Sequence, residues 1–333
     1  MKLLLSDIMN IYSKINKSIK TRKFGMEVNN TLYNQKNEIL HYLRDRAEES
    51  YSEICRTYGN SEFKKRAGAI NKKVILTSDT IKAIISQRSA SQNWTQDEIL
   101  QSILMVTYCS YIVMIEFRNR AWEYEYMTFA RRIGELWEPF CKLCFHHPIR
   151  TDMQLCEAPL FSDVKESLQN EINKYIHSLN ISEDEQKNLI NYYDKVWSLV
   201  TSGEIKLELD LHFTINDTKY NIDFKSGFQS NEKGNTNRLL LVASIYKNII
   251  AQNHTCMLFV RAEEDDNNHY LQTLKNSAIW DVYCAKETYN KIYEYSGFNL
   301  TQWIENNIDW NNDLDSETLS SFQKNDLIKY LSW

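Results

Sequence analysis

Asp210, Asp223 and Lys225 are the side chains whose types and spacing fit a defined chemistry. They lie in residues 207–227, LELDLHFTINDTKYNIDFKSG, where polar and apolar residues alternate on both sides of the pair Asn216-Asp217. Alternation with a period of two predicts a half-buried β-hairpin, and Asn and Asp suit its two-residue turn because both tolerate positive φ. The predicted apolar face of the first strand consists of Leu207, Leu209, Leu211, Phe213 and Ile215. Both carboxylates and the ammonium group then share the polar face.

The position of this turn also fixes which residues of the two strands face each other. Asp210 lies opposite Asp223, and Glu208 lies opposite Lys225. Directly opposed residues have Cβ atoms about 4.5–5.5 Å apart, and like charges at that distance are destabilising unless something compensates them. Mg²⁺ would compensate the two carboxylates, because it prefers carboxylate and water oxygens. Lys225 could then orient or activate a water molecule, or offset charge on a phosphate.

An exposed hairpin with a solvated charged face shows the same alternation, and the hairpin alone favours that interpretation. A sequence motif favours an active site over a solvated surface hairpin. Asp210, followed after twelve residues by Asp223-Phe224-Lys225, resembles the active-site signature of the PD-(D/E)xK nuclease superfamily, which includes many type II restriction endonucleases. Leu209 stands where the name of the motif has Pro, and Asp223 is the Asp variant of its second acidic position.

The predicted order of elements agrees with that resemblance. Helices are expected near 3–20, 28–57, 61–73, 79–88, 96–118, 120–145 and 162–200, the last broken near 179–182. After the hairpin we expect a helix at 238–250, strands at 255–261 and 279–284, a helix at 285–296 and short helices over 299–333. Helix, hairpin, helix and strand occur in the same order in the core of the PD-(D/E)xK fold.

The expected fold class is therefore α/β (α+β), with a mixed β-sheet flanked by helices and a large helical N-terminal region. Residues 1–118 are predicted to recognise DNA, to dimerise, or both. Residues 119–298 are predicted to form the catalytic core, and residues 299–333 a C-terminal helical segment.

The same resemblance singles out Glu138. Many restriction enzymes carry a pattern like R-x-x-G-x-x-x-E on the first core helix, and Arg131, Gly134 and Glu138 stand in that spacing. The resemblance implies that Glu138 is a metal ligand or supports one. Glu135 is its competitor, and a solvated role remains open for either.

Polar and basic side chains elsewhere are candidates for DNA contacts. The segment after the hairpin is dense in hydrogen-bond donors that suit phosphate oxygens or base edges: Gln229, Asn231, Lys233, Asn235, Asn237 and Arg238. Arg238 is predicted at a helix N-terminus, which would favour an anion. One basic cluster consists of Lys64, Lys65, Arg66, Lys72 and Lys73, and another of Lys14, Lys17, Lys20, Arg22 and Lys23. A polar surface loop and solvated helix faces are the open alternatives.

Composition narrows the class of protein. The chain has 333 residues and a net charge of −5, so it is not a general polycation, although local patches can still bind DNA. Seven cysteines without regular spacing indicate reduced thiols and a cytoplasmic location. The uncharged segment between Glu98 and Glu116 predicts a buried core helix and no membrane insertion. Cys141 and Cys144 could suggest zinc with the nearby histidines, but their local spacing favours core positions on a helix.

Taken together, these patterns predict a Mg²⁺-dependent type II restriction endonuclease that cuts double-stranded DNA. Asp210, Asp223 and Glu138 would form the metal environment, and Lys225 would position or deprotonate the attacking water. A homodimer is expected because palindromic sites mirror two-fold symmetry, and a cognate DNA methyltransferase is expected in the same system. A repair, recombination or RNA nuclease on the same core remains open, as does a non-catalytic helical DNA-binding or interaction protein.

Overall fold

Only 8 Gly and 3 Pro interrupt the chain, and its fold is accordingly rich in long helices. The computed structural model describes residues 26–198, 205–250 and 253–333. These residues form a mixed α/β structure, mostly helical, with twelve α-helices and one five-stranded sheet. The helices are α1 (Lys36–Thr57), α2 (Phe63–Gln92), α3 (Gln96–Ala121), α4 (Tyr126–His146), α5 (Phe161–Ser178), α6 (Glu183–Ser198), α7 (Lys233–Asn248), α8 (His269–Asn276), α9 (Lys286–Ser296), α10 (Leu300–Asn307), α11 (Trp310–Asp313) and α12 (Ser316–Lys324). The strands are β1 (Met153–Leu155), β2 (Leu211–Ile215), β3 (Thr218–Lys225), β4 (His254–Val260) and β5 (Asp281–Cys284).

The chain divides into two units. The helical unit contains the described residues up to Ile149 together with Ile292–Trp333, and the sheet unit contains Arg150–Lys291. The domain boundaries expected from the sequence, after residues 118 and 298, stay predictions. The helix predicted at 3–20 and the basic cluster from Lys14 to Lys23 lie outside the described residues.

Helix α3 is the centre of the helical unit. A capping box starts it, in which the Thr95 side chain accepts from the Glu98 N–H and the Glu98 side chain accepts from the Thr95 N–H. Nearly every side chain from Leu100 to Asn119 is buried, and α1 and α2 pack against the helix. Its composition and length would also suit a membrane span, but 78% of its apolar window is buried inside the fold, as in the core helix of a soluble protein. The predicted buried core helix is confirmed.

Two predictions about helix boundaries are corrected by the structure. The helices predicted at 61–73 and 79–88 are one continuous helix, α2, because residues 74–78 between them include no Gly or Pro that would end it. The helix predicted to begin at Arg238 begins at Lys233, so the polar segment after the hairpin is shorter than expected. The predicted break near 179–182 is confirmed between α5 and α6.

The sheet has the order β1-β2-β3-β4-β5. Strands β1, β2 and β3 pair in antiparallel fashion, whereas β4 is parallel to both β3 and β5. Helix α7 connects β3 to β4, and α8 connects β4 to β5, as parallel neighbours require. The three-residue strand β1 was not predicted, because it is too short to show alternation.

The predicted hairpin register is confirmed. Leu211 pairs with Ile222 and Ile215 pairs with Thr218, and Asn216 adopts a φ of 51° in the turn. The residue before Leu211 is Asp210 and the residue after Ile222 is Asp223, so the ladder leads directly to the two carboxylates.

The first strand is shorter than predicted. It begins at Leu211 rather than at Leu207, because the chain bends at Asp210. Leu207 and Leu209 are buried in a core cluster with residues of α7 and β4, not on the face that Leu211 occupies. The bend therefore resets the alternation, and the prediction that all five apolar residues share one face is wrong.

The polar face of the hairpin is not solvated. His212 is 7% exposed, Asn221 2% and Asp223 1%. In the parallel ladder Asp223 lies beside Leu258 of β4, and Leu258 belongs to the core cluster that α7 covers. Strands in a parallel arrangement are commonly covered on both faces by their connecting helices. The prediction of a half-buried hairpin is wrong, and so is the alternative of an exposed charged face.

Candidate functional site

Asp223 is the centre of a small ionic cluster in the sheet unit. One oxygen, Oδ1, is ion-paired with Nζ of Lys225, two residues further along the same face of β3. The other oxygen, Oδ2, accepts a hydrogen bond of 3.1 Å from Nη2 of Arg238 on α7. Lys225 and Arg238 are 22% and 40% exposed, so the cluster has its carboxylate inside and its cations towards solvent.

Asp210 joins this cluster from the residue that precedes β2. Its Oδ2 accepts a hydrogen bond of 2.7 Å from the main-chain N–H of Phe224, the residue that follows Asp223. Burial raises the pKa of Asp223, and the nearby negative charge of Asp210 raises it further, while Lys225 and Arg238 oppose both effects. The two carboxylates are therefore close enough to influence each other's charge, as the predicted register requires.

Glu208 does not take the position expected of it. The ladder between β2 and β3 begins at Leu211, so Glu208 has no partner in it and is an exposed residue of the segment that precedes the strand. The predicted pairing of Glu208 opposite Lys225 is wrong, because the bend at Asp210 ends the strand before that position. Lys225 instead turns to Asp223 on its own strand.

The donor set suits Mg²⁺ bound together with a substrate. Asp210 and Asp223 offer two carboxylates, and Mg²⁺ is usually held by one or two carboxylates, with waters and substrate phosphates in the other positions. Within the described residues there is no group of three or more His, Cys, Asp or Glu side chains that could enclose an ion. The residues present therefore fit an ion shared with a phosphate, not an ion fully enclosed by protein.

Glu138 lies on α4 of the helical unit, where Nζ of Lys142 donates to its Oε1 at 2.7 Å. Its competitor Glu135 is contacted by Nε of Arg131 at 2.8 Å. Both contacts join residues four apart on an exposed or partly exposed helix surface. The metal role of Glu138 stays a prediction.

The residues predicted to contact DNA after the hairpin are divided between a loop and a helix. Gln229 and Asn231 are exposed loop residues, whereas Lys233, Asn235 and Asn237 lie in the first turns of α7. The side-chain oxygen of Asn231 accepts from the Tyr270 hydroxyl at 2.8 Å.

Arg238 is not at the N-terminus of α7. It lies in the second turn of a helix that begins at Lys233, and its guanidinium contacts Asp223. The prediction that Arg238 lies at a helix N-terminus and favours an anion there is therefore wrong. Contact of Arg238 with DNA stays a prediction.

The basic cluster at the start of α2 is partly occupied by local contacts. Lys65 pairs with Glu62 at 2.7 Å, and Nη2 of Arg66 donates to the Tyr58 carbonyl at 2.7 Å. Nζ of Lys64 lies 5.3 Å from the centre of the Trp122 ring. Lys64 and Lys65 are exposed and Arg66 is half-buried, so Arg66 acts mainly as a cap for the preceding loop.

A buried chain of hydrogen bonds, which begins at His212, lies on the same sheet face as Asp223. The N–H of Leu209 donates to Nε2 of His212 at 2.9 Å, so the ring is neutral and its proton is on Nδ1. That nitrogen lies 2.9 Å from Oδ1 of Asn221, whose Nδ2 lies 3.1 Å from Nδ1 of His254. Burial lowers the pKa of His212 and lowers that of His254 to about 4.

A cleft of about 540 Å³ opens beside Asp210. Its walls are the segment from Leu155 to Phe161 and the segment from Ile205 to His212. Asp210 is only partly buried, and so it is the member of the carboxylate pair that a ligand in this cleft would meet.

Comparison with known proteins assigns the chain to no family. No protein-family model matches the chain, and neither a curated protein nor a solved structure matches it.

Proposed function

We propose that this protein is a cytoplasmic, Mg²⁺-dependent type II restriction endonuclease that hydrolyses phosphodiester bonds of double-stranded DNA. The observation that carries the proposal is the cluster around Asp223: a second carboxylate, Asp210, and the cation Lys225, brought together by the hairpin register. The fold is a mixed α/β one, and a PD-(D/E)xK core is part of the proposal.

Burial of Asp223 supports a role in chemistry more than a role in stability. A carboxylate that is 1% exposed carries a desolvation penalty, and a buried ion pair often stabilises a fold no better than apolar residues of similar volume. A carboxylate whose pKa is raised by burial and opposed by specific charged partners is a candidate for a functional site. The cleft lined by Asp210 gives the carboxylate pair a place where it could meet a ligand.

Each residue of the cluster has a distinct task in the proposed reaction. Asp210 and Asp223 would hold the ion, which supplies positive charge for the scissile phosphate and acidifies a water when it is bound. Lys225, which is ion-paired with Asp223, would place its ammonium group beside the phosphate or the attacking water. Arg238 would keep its hydrogen bond to Asp223 and fix the orientation of that carboxylate.

The remaining parts of the proposal follow from the type of reaction. Cutting both strands at a palindromic site suits a homodimer, and a cell that carries such an enzyme needs a cognate DNA methyltransferase. The metal role of Glu138 rests on the sequence resemblance alone and stays a prediction. The residues that would contact DNA beside the site are Gln229, Asn231, Lys233, Asn235 and Asn237.

The test is to incubate the purified protein with a sequenced plasmid and Mg²⁺ and to map the ends of the products. We expect discrete fragments with constant ends. Asp223→Asn and Lys225→Ala should each lower the cleavage rate by at least about 100-fold, which is the typical cost of removing one electrostatic catalytic group. Asp217→Asn in the exposed turn is the matched control and should cleave at the wild-type rate.

Two outcomes would contradict the proposal. Smeared products or nicks at particular DNA structures would indicate a nuclease of repair or recombination. Unchanged activity in Asp223→Asn and Lys225→Ala would show that this cluster is not catalytic and would favour a binding protein.

A further inference from the structure

A second cleft with an unusual charge lies entirely within the helical unit. It has a volume of about 490 Å³ and is lined by residues of α2, α3 and α4 and of the segment that joins the last two. Among its lining residues are three arginines, Arg118, Arg131 and Arg132, and one carboxylate, Glu135. The described walls of this cleft therefore carry a net charge of two positive units, in a protein whose overall charge is −5.

Arg118 is the unusual member of this group because it is only 6% exposed. Its guanidinium carbon lies 3.8 Å from the centre of the Tyr124 ring and 4.5 Å from that of Trp122, and Nη1 donates to the Trp122 carbonyl. No carboxylate within the described part of the chain forms an ion pair with it. A buried arginine is normally paired, so this one gives the cleft a fixed positive charge in a partly desolvated place.

Arg131 and Arg132 add positive charge at the mouth of the cleft. They share Glu135, to which Nε of Arg131 lies at 2.8 Å and Nη1 of Arg132 at 3.5 Å. Arg131 is 81% exposed, so its ion pair is in contact with water and contributes little to stability. Guanidinium groups bind phosphate through two parallel hydrogen bonds, and such contacts are stronger than an exposed pair with one shared carboxylate.

The surroundings of the cleft indicate an extended ligand. Met127, which lines the cleft, is 68% exposed, and its neighbour Tyr126 is 59% exposed. On α2, the exposed Lys64 borders the cleft, because its Nζ lies 5.3 Å from the centre of the Trp122 ring that Arg118 also contacts. Positive charge thus continues beyond the cleft, which suits a polymer of phosphates better than a single small anion.

We infer that this cleft is a phosphate-binding site of the helical unit and that its ligand is the backbone of duplex DNA. The choice of DNA rests on the proposed function, whereas the phosphate chemistry of the site does not. The inference gives the helical unit a binding cleft whose lining residues do not include Lys64, Lys65 or Arg66, although Lys64 borders it.

The test compares two double variants with the same change in net charge. Arg131→Gln with Arg132→Gln removes the two arginines at the mouth of the cleft, and Arg46→Gln with Arg56→Gln removes two arginines of α1 that do not line it. Binding of a short fluorescein-labelled DNA duplex is followed by anisotropy in EDTA, so that no cleavage occurs. Thermal unfolding of both variants confirms that the fold is intact.

We expect the cleft variant to bind DNA at least about tenfold more weakly than the wild type, which corresponds to about 1.4 kcal/mol. The slope of log K against log salt concentration should also become less steep, by about 0.9 for each phosphate that the variant no longer neutralises. The α1 variant should bind within about twofold of the wild type, because neither of its arginines lines the cleft.

The other outcomes overturn the inference. Equal weakening in both variants would show an effect of net charge alone. If the cleft variant binds DNA normally but fails to bind inorganic pyrophosphate, the source of the phosphate is a small molecule and the assignment to DNA is wrong. The proposed function is tested separately. It fails if Asp223→Asn still cleaves plasmid DNA at the wild-type rate, whereas the inference about the cleft is tested by DNA binding in the absence of metal.

Discussion

The carboxylate of Asp210 accepts a hydrogen bond of 2.7 Å from the main-chain N–H of Phe224. This bond ties a residue just outside β2 to the residue that follows Asp223 on β3. The position of Asp210 is therefore set by the backbone of the neighbouring strand. Substitutions can remove the negative charge of Asp210 with or without removing its hydrogen-bond acceptor.

Asp210→Asn should retain the fold and lose the activity. The amide oxygen of Asn can still accept from Phe224, whereas the negative charge that would hold Mg²⁺ is absent. Asp210→Ala removes the acceptor as well and should cost a further 1–3 kcal/mol, roughly, because a partly buried N–H is left without its partner. Urea unfolding and the plasmid assay measure the two effects. Equal stability of the two variants would contradict the structural role of this hydrogen bond.

Asp223→Asn should leave the metal-free protein at least as stable as the wild type. Burial raises the pKa of Asp223, so the native state binds this proton more tightly than the unfolded chain does. Its contribution to stability is fully present below the unfolded value of 3.8 and is lost as the pH rises through the raised pKa. Removing the charge should therefore stabilise the fold at neutral pH.

The free energies of unfolding of Asp223→Asn and of the wild type are compared by denaturant unfolding in EDTA at neutral pH. Asp217→Asn in the turn serves as the control for an exposed carboxylate. A loss of stability in Asp223→Asn would mean that the ion pairs with Lys225 and Arg238 outweigh the cost of burial.

The buried histidine chain should make the protein sensitive to mild acid. The pKa of His212 and that of His254 both lie below the ordinary value of 6.5, the second at about 4, because burial disfavours the charged rings. The stability they contribute is present above pH 6.5 and is lost as the pH falls from 6.5 towards about 4, since the unfolded chain binds the protons more readily. His254→Gln should flatten the dependence of stability on pH in this window. His269→Gln, at an exposed histidine, should leave it unchanged.

Asp313 should be among the most sensitive positions of the helical unit. It is 6% exposed, and its Oδ2 accepts from Nζ of Lys36 at 2.9 Å and from the Tyr108 hydroxyl at 2.7 Å. Asp313→Ala should lower the free energy of unfolding by about 3–5 kcal/mol, because a buried pair is left with one partner. Lys329→Ala, which breaks an exposed pair with Asp326, should cost at most about 1 kcal/mol. Denaturant unfolding measures the loss of stability in both variants. Similar losses would contradict the burial of Asp313 and its contacts with Lys36 and Tyr108.

The hairpin shows how far local sequence can predict the site. Asn216 at a positive φ and the alternation on both sides of it determine the register, so the approach of Asp210 to Asp223 could be predicted. The bend at Asp210 could not, because Leu207 and Leu209 continue the alternation although they pack into another core. Which core a leucine enters depends on residues far along the chain.

Arg238 illustrates the same limit. Its contact with Asp223 depends on the start of α7 at Lys233 and on the parallel pairing of β3 with β4, neither of which is encoded near Arg238. The cleft around Arg118 could not be predicted either, since it combines α2, α3 and α4. Helix existence, by contrast, followed from composition and periodicity over most of the described chain.

The division of the chain into units has a consequence for synthesis on the ribosome. The core of the helical unit includes late residues, with the Phe322 ring centred 4.5 Å from that of Phe129 and the Trp310 ring 5.2 Å from that of Tyr108. The sheet unit, in contrast, is one continuous stretch, Arg150–Lys291. Domains generally fold as they emerge, with the N-terminal one first. Here the order is reversed: the helices that are translated first must wait for residues 300–333, and the sheet unit is the first that can complete its core.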